Sequence, residues 1–133
     1  MDRITEKPLD INKYLAQAHH EKAGAVVLFS GEVRNHSKGK EVLYLEYECH
    51  KEIAEKLINE ILDDAINKWS LHFALCVHRV GKIDITESAV VVITASSHRE
   101  EAYTANRYII DRVKKEAPIW KKEFFADGSK TWR

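Results

Sequence analysis

Two short runs of this chain, Ala25-Val26-Val27-Leu28-Phe29 and Ala89-Val90-Val91-Val92-Ile93, are apolar at every position. A strand points successive side chains to opposite faces, so a run without polar alternation needs cover on both sides. Neither run approaches the length of a bilayer crossing, so that cover has to be protein and no membrane is expected. The first run, closed by Ser30-Gly31, reads as a strand in the middle of a covered sheet. The second, extended to Thr94, reads as another strand of the same kind.

The remaining pattern supplies the cover. Residues 51–68 set Ile53, Leu57, Ile58, Ile61, Leu62, Ala65 and Ile66 at helical spacing, with charged residues largely opposite. Ser97-His98-Arg99-Glu100 fits the S-x-x-E capping box, opening a helix that sends Ala102, Ala105, Ile109 and Val113 toward the core. Asp10 before Ile11, Tyr14, Leu15 and Ala18 predicts a short N-capped helix. Val42 to Cys49 alternates, with Leu43, Leu45, Tyr47 and Cys49 on one face, and Phe73, Leu75 and Val77 alternate up to Val80-Gly81. Glu32 to Lys40 reads as an exposed loop and Asp84 to Ser88 as a turn. Ile119 to Phe125, Asp127-Gly128 and Lys130 to Trp132 predict a strand, a turn and a return strand. The order α-β-β-α-β-β-α-β predicts an α+β layer fold, with a mixed or antiparallel sheet, two main helices and a C-terminal β-hairpin. With 133 residues, 44% of them hydrophobic, and no linker or repeat, residues 1–133 fit a single domain.

Charge narrows the partners. Lysine plus arginine equals aspartate plus glutamate at 21 each, so no whole-molecule attraction to nucleic acid is expected and any basic patch is local. Cys49 and Cys76 form no C-x-x-C and follow no secretory pattern, which predicts reduced thiols in a cytoplasmic protein, both in packing roles. The seven histidines include no H-x-x-x-H or H-x-x-E-H, so no metal or other cofactor is expected. Nucleotide-binding and serine-hydrolase signatures are missing as well.

The chemistry concentrates in Lys114-Lys115-Glu116-Ala117-Pro118-Ile119-Trp120-Lys121-Lys122-Glu123. Pro118 lacks an N–H and drives Ala117 out of the helical region, leaving Lys114 and Lys115 in a last helical turn with Lys121 and Lys122 beyond it. The bend folds two lysine pairs toward one spot, and Trp120 offers an apolar anchor between them. A solvated basic helix end is the plain alternative. Arg34 follows one apolar strand, and His98-Arg99 lie between another and a helix start, where an anion meets unpaired N–H groups. Arg99 has the wrong sign for the helix dipole at that end unless something negative docks there. His98 suits either a hydrogen-bonding role or proton transfer.

Gly24 to His36, Val77-His78-Arg79-Val80-Gly81, Ser97-His98-Arg99 and Lys114 to Glu123 together resemble the catalytic (large) subunit family of molybdopterin synthase, in the same order from about Leu9 onward. The resemblance implies an α/β-hammerhead fold and a homodimer. A small ubiquitin-like sulfur-carrier protein would insert at each end of it, giving a heterotetramer. It also implies sulfur transfer from the carrier's C-terminal Gly-Gly thiocarboxylate to cyclic pyranopterin monophosphate (precursor Z), forming the molybdopterin dithiolene without a cysteine on this chain. Carried over, Lys114 matches the essential lysine and Lys121 the second one, while Arg34, His98 and Arg99 match the anion and pterin pocket. Glu32, Val33, Lys122 and Glu123 fall in stretches lining the same site, with Glu32 at a position that is basic in some members. Many members continue past the positions of Trp132-Arg133 with a tail, whose contacts are expected to be absent or replaced here. A non-catalytic module that captures a phosphorylated metabolite or a partner's C-terminal carboxylate is the second reading.

Overall fold

The computed structural model describes residues 2–132, so Met1 and Arg133 lie outside it. In chain order it holds β1 (Ile4–Thr5), α1 (Ile11–Ala16), β2 (Ala25–Glu32), β3 (His36–Ser37), β4 (Lys40–Cys49) and α2 (Lys51–Trp69). There follow β5 (Phe73–Arg79), β6 (Gly81–Asp84), β7 (Ser88–Ser96), α3 (Arg99–Glu116), β8 (Ile119–Phe125) and β9 (Lys130–Trp132). One sheet has the order β1-β5-β7-β2, antiparallel except for the parallel pair β1 and β5. The other is antiparallel, β3-β4-β8-β9, with β6 also paired to β4. The expected α+β class, its two main helices and its terminal hairpin are all present.

The apolar run of β7 explains the layering. Val90 and Val92 pack with Ala54, Ile58, Ile61 and Leu62 of α2 and with Ala105, Ile109 and Val113 of α3. Val91 and Ile93, on the opposite face, pack with Leu75, Val77, Ala18 and the apolar side of α1. A smaller core of Val33, Val42, Leu45, Ile83, Ala89 and Phe125 joins the two sheets.

Several expectations are corrected. The run Ala25 to Phe29 belongs to an edge strand, half-buried and not central, which continues through Ser30 and Gly31 to Glu32. Gly31 lets it continue, because a Cβ there would come within 2.8 Å of Val90 Cγ1 beside a register shift. The loop after it contains the tight β3–β4 turn, in which Lys38 and Gly39 both take positive φ. In β4 a bulge between Val42 and Tyr44 turns Val42 inward and leaves Leu43 49% exposed. β6 is a strand where none was expected, between the end of β5 and the turn region from Asp84 to Ser88. The capping box does not form: His98 is the N-cap of α3 and makes no side-chain cap bond. Ser97 Oγ instead donates to the Lys22 carbonyl and accepts from His72 Nε2. Ile53 of α2 faces outward.

Asn106 ties α3 to its sheet. Its side chain is 4% exposed, and Nδ2 donates to the carbonyls of Val27 in β2 and Val92 in β7, each at 3.1 Å. Asn106→Leu removes both donors at similar volume and should destabilise by roughly 1–3 kcal/mol. Urea unfolding checks this, and a loss below about 0.5 kcal/mol would contradict the assignment.

Candidate active site

At the seam of the two sheets lies a cleft of about 570 Å³. The edge strand supplies Phe29, Ser30, Gly31 and Glu32, and Arg34 follows from the loop beyond it. β5 supplies His78, β4 supplies Tyr47, and β8 supplies Lys121 and Glu123. The last turns of α3 overhang it with Ile110, Val113 and Lys114. Pro118 brings one lysine of each expected pair, Lys114 and Lys121, to this cleft, whereas Lys115 and Lys122 do not line it. Ala117 leaves the helix with φ −72° and ψ 135°, and the chain reverses directly into β8. Trp120, expected as an apolar anchor between the lysine pairs, lines the cleft at 40% exposure, and Ala117, 9% exposed, packs into the core.

Cations gather on the lining of this cleft, an arrangement that suits an anion. Among the described residues, Arg34 and Lys114 have no hydrogen-bond or ion-pair partner. Other cations are committed: Arg112 binds Asp64 and Glu116, Arg79 binds Glu87, and Lys40 binds Asp127. Glu32 accepts from Ser30 Oγ at 3.2 Å, so the Ser30–Ser88 contact at 2.6 Å is donated by Ser88. Glu123 is 3% exposed on the inner face of β8. Tyr47's phenol is raised above its ordinary value by burial and by the charge of Glu123. A second cavity of about 760 Å³ shares Tyr47 and Trp120 and holds Cys49, but neither Arg34 nor Lys114 lines it.

Four site residues expected from the sequence stand apart. His98 and Arg99 begin α3, whereas Lys114 lies in its last turn, about 22 Å away along the axis. Lys122 faces outward from β8, its ammonium 5.4 Å from the Phe124 ring centroid and 5.0 Å from that of Trp132. Val33 is 3% exposed in the smaller core, and its N–H and carbonyl are used by Glu87 and Thr86. Glu32, Arg34, Lys114, Lys121 and Glu123 do share the cleft.

Sequence reasoning quoted His78 without giving it a role. Alternation in β5 carries the signal, because His78 falls on the same face as Cys76, toward the helices. The ring is 7% exposed, packs edge-on against Tyr47 at 4.8 Å, and lies 2.8 Å through Nδ1 from the Arg79 carbonyl. Burial, and secondarily the charge of Lys114, lower its pKa from 6.5 to about 4, against the raising effect of the Arg79 bond. Burial likewise pushes the Cys76 thiol up to about 12 and raises that of Cys49, so neither is disposed to form a thiolate. Among the described residues no three His, Cys, Asp or Glu side chains gather as metal ligands, and no helix is long and apolar enough to cross a membrane.

The depressed histidine makes stability depend on pH. Above 6.5 both folded and unfolded chains hold His78 neutral. Below it the unfolded chain takes a proton that the folded chain refuses until about pH 4, so stability falls as pH falls across that window. The slope contributed approaches about 1.4 kcal/mol per pH unit. Denaturant unfolding between pH 7.5 and 4.5 should show this extra acid sensitivity in the wild type and its loss in His78→Phe. Parallel curves for the two would refute it.

A family model described as MoaE protein matches residues 4–116. The molybdopterin synthase catalytic subunit of Staphylococcus aureus (strain COL) is 42% identical over 127 residues, spanning 96% of this chain and 86% of that protein. The crystal structure of molybdopterin synthase from Staphylococcus aureus superposes with a TM-score of 0.93 at 39% identity, covering 99% of this chain and 96% of that one. A protein–protein complex of subunits 1 and 2 of molybdopterin-converting factor from Helicobacter pylori shares the fold, with a TM-score of 0.80 at 19% identity, covering 98% of this chain and 88% of that one.

Proposed function

This chain belongs to the MoaE family, and we propose that its seam cleft carries out the sulfur transfer of molybdopterin synthase, with Lys114, Lys121 and Arg34 as the working cations. The activity is that of a molybdopterin synthase catalytic subunit, a sulfurtransferase of molybdenum-cofactor biosynthesis. The convergence of these cations on one cleft, in a chain of zero net charge, is the observation that carries the site assignment. Both partners in such a reaction are anionic: a thiocarboxylate at the end of a small carrier protein and a cyclic phosphate on a pterin. Lys114, uncommitted and at the mouth, draws in the carrier's C-terminal tail and holds its sulfur against the pterin. Arg34 offers a planar donor fork that suits the phosphate. Lys121, half-buried on β8, holds charge as sulfur is transferred.

His98 and Arg99 fit the same reading only through a second copy of the chain. With α3 holding them far from their own Lys114, they complete a cleft when the helix start of one protomer meets the cleft of its partner. The working assembly is then a homodimer with a carrier at each cleft, in the cytoplasm.

Two substitutions test the assignment with thiocarboxylated carrier and pterin monophosphate supplied. Lys114→Ala should abolish dithiolene formation, and an unchanged rate would refute the reading. Arg34→Ala should mainly raise KM, since losing a charged hydrogen bond costs roughly 1.5–3 kcal/mol, or about 10- to 150-fold. The module that binds without turnover predicts saturable binding of both anions and no dithiolene from the wild type.

A further inference from the structure

We propose that His78 is the proton acceptor that lets water release the carrier's tail once its sulfur has bonded to the pterin. The inference rests on the cleft being the sulfur-transfer site. Atom balance requires such a step. A sulfur that has joined the pterin carbon still holds the carrier's terminal acyl carbon. Water must then attack that carbon: an acyl carbon–oxygen bond forms, the acyl carbon–sulfur bond breaks, and the pterin sulfur keeps the electron pair as a thiolate. One water proton goes to a base during the attack. The other is lost as the carrier's new carboxylic acid ionises to carboxylate.

A base for that proton has to be neutral or anionic, keep a free lone pair and face the cleft. The Arg79 carbonyl can only accept, so Nδ1 of His78 carries the ring proton and Nε2 keeps its lone pair. The ring lines the cleft and is fixed edge-on against Tyr47, within reach of Lys114's field. Of the charged groups facing it from other elements, Lys114, Lys121 and Arg34 are cations that cannot accept a proton. Glu32 sits exposed at the rim and already accepts from Ser30, and His36 is exposed on the lining with Nδ1 against Asn35 Oδ1. Glu123, on β8, is the one competing acceptor at depth, with Tyr47's phenol in its field. Burial and Lys114 together keep His78 unprotonated in the empty site. The pterin's phosphate, still bound among the cleft's cations at that step, offsets their field and raises the basicity of the ring when it is needed.

Single turnover with thiocarboxylated carrier and pterin monophosphate, followed by intact mass spectrometry of quenched samples, tests this. His78→Gln keeps a polar side chain of similar reach and removes the base. It should form the carrier–pterin adduct at the wild-type rate but let it persist about 100-fold longer or more. In water enriched in oxygen-18, each wild-type release should place one labelled oxygen in the carrier's carboxylate. Wild-type adduct decay should rise with pH and then level off. A decay proportional to hydroxide throughout would overturn the proposal without any variant, which covers a His78→Gln chain that does not fold. Trapping of the adduct by Glu123→Gln and not by His78→Gln would overturn it too. A wild type that makes no dithiolene brings down the reading of the cleft and this inference with it. Normal turnover in both wild type and His78→Gln brings down this inference alone.

Discussion

Burial of β7 on both faces is the constraint from which the site follows. A strand that reads Ala-Val-Val-Val-Ile has no side to give to water, so α2 and α3 are drawn to one face and α1 to the other. Small side chains at Ala102 and Ala105 let α3 lie close over the pair β2 and β7, and Asn106 fastens it there. Once that helix is fixed, its end overhangs the seam between the sheets. Pro118 then leaves the chain nowhere to go but into β8, whose pairing with β4 completes the opposite wall.

Periodicity carried most of this architecture. The inward face of α3, the limits of β8 and β9 and the α+β class were legible because burial and spacing agree at those places. Failures occurred where one residue breaks the count. The bulge in β4 exchanges Leu43 for Val42, and β6 offers only Ile83 as an inward apolar residue, too little to register as a strand. The S-x-x-E signal at Ser97 was outcompeted by a tertiary partner, the Lys22 carbonyl, held near by Gly24, where any Cβ would meet the Ser97 oxygen at 2.5 Å.

Motifs and geometry divide the site differently. Motif resemblance grouped nine residues, and five of them share the cleft. The same spacing rules that located the elements already separate most of the others. Four helical turns stand between Arg99 and Lys114, and alternation along β8 sends Lys122 away from the face of Lys121 and Glu123. A motif marks what a family uses, without stating which copy of the chain provides it. His78 is the converse case: spacing places it indoors, while no motif chemistry singles it out.

The distribution of charge gives the cleft its sense. Acid and base cancel over the whole chain, and most of the paired cations lie away from the cleft: Arg112 against Asp64 and Glu116, Arg107 against Asp111, Lys82 against Asp84. Exposed pairs of this kind add little stability. They do remove those charges from competition for a ligand. Arg34 and Lys114 keep theirs, and both line the cleft where an anion would meet them. A buried neutral imidazole beside them is consistent with that economy. It adds no further positive charge to the cleft, and its lone pair becomes more basic when an anionic phosphate is bound there.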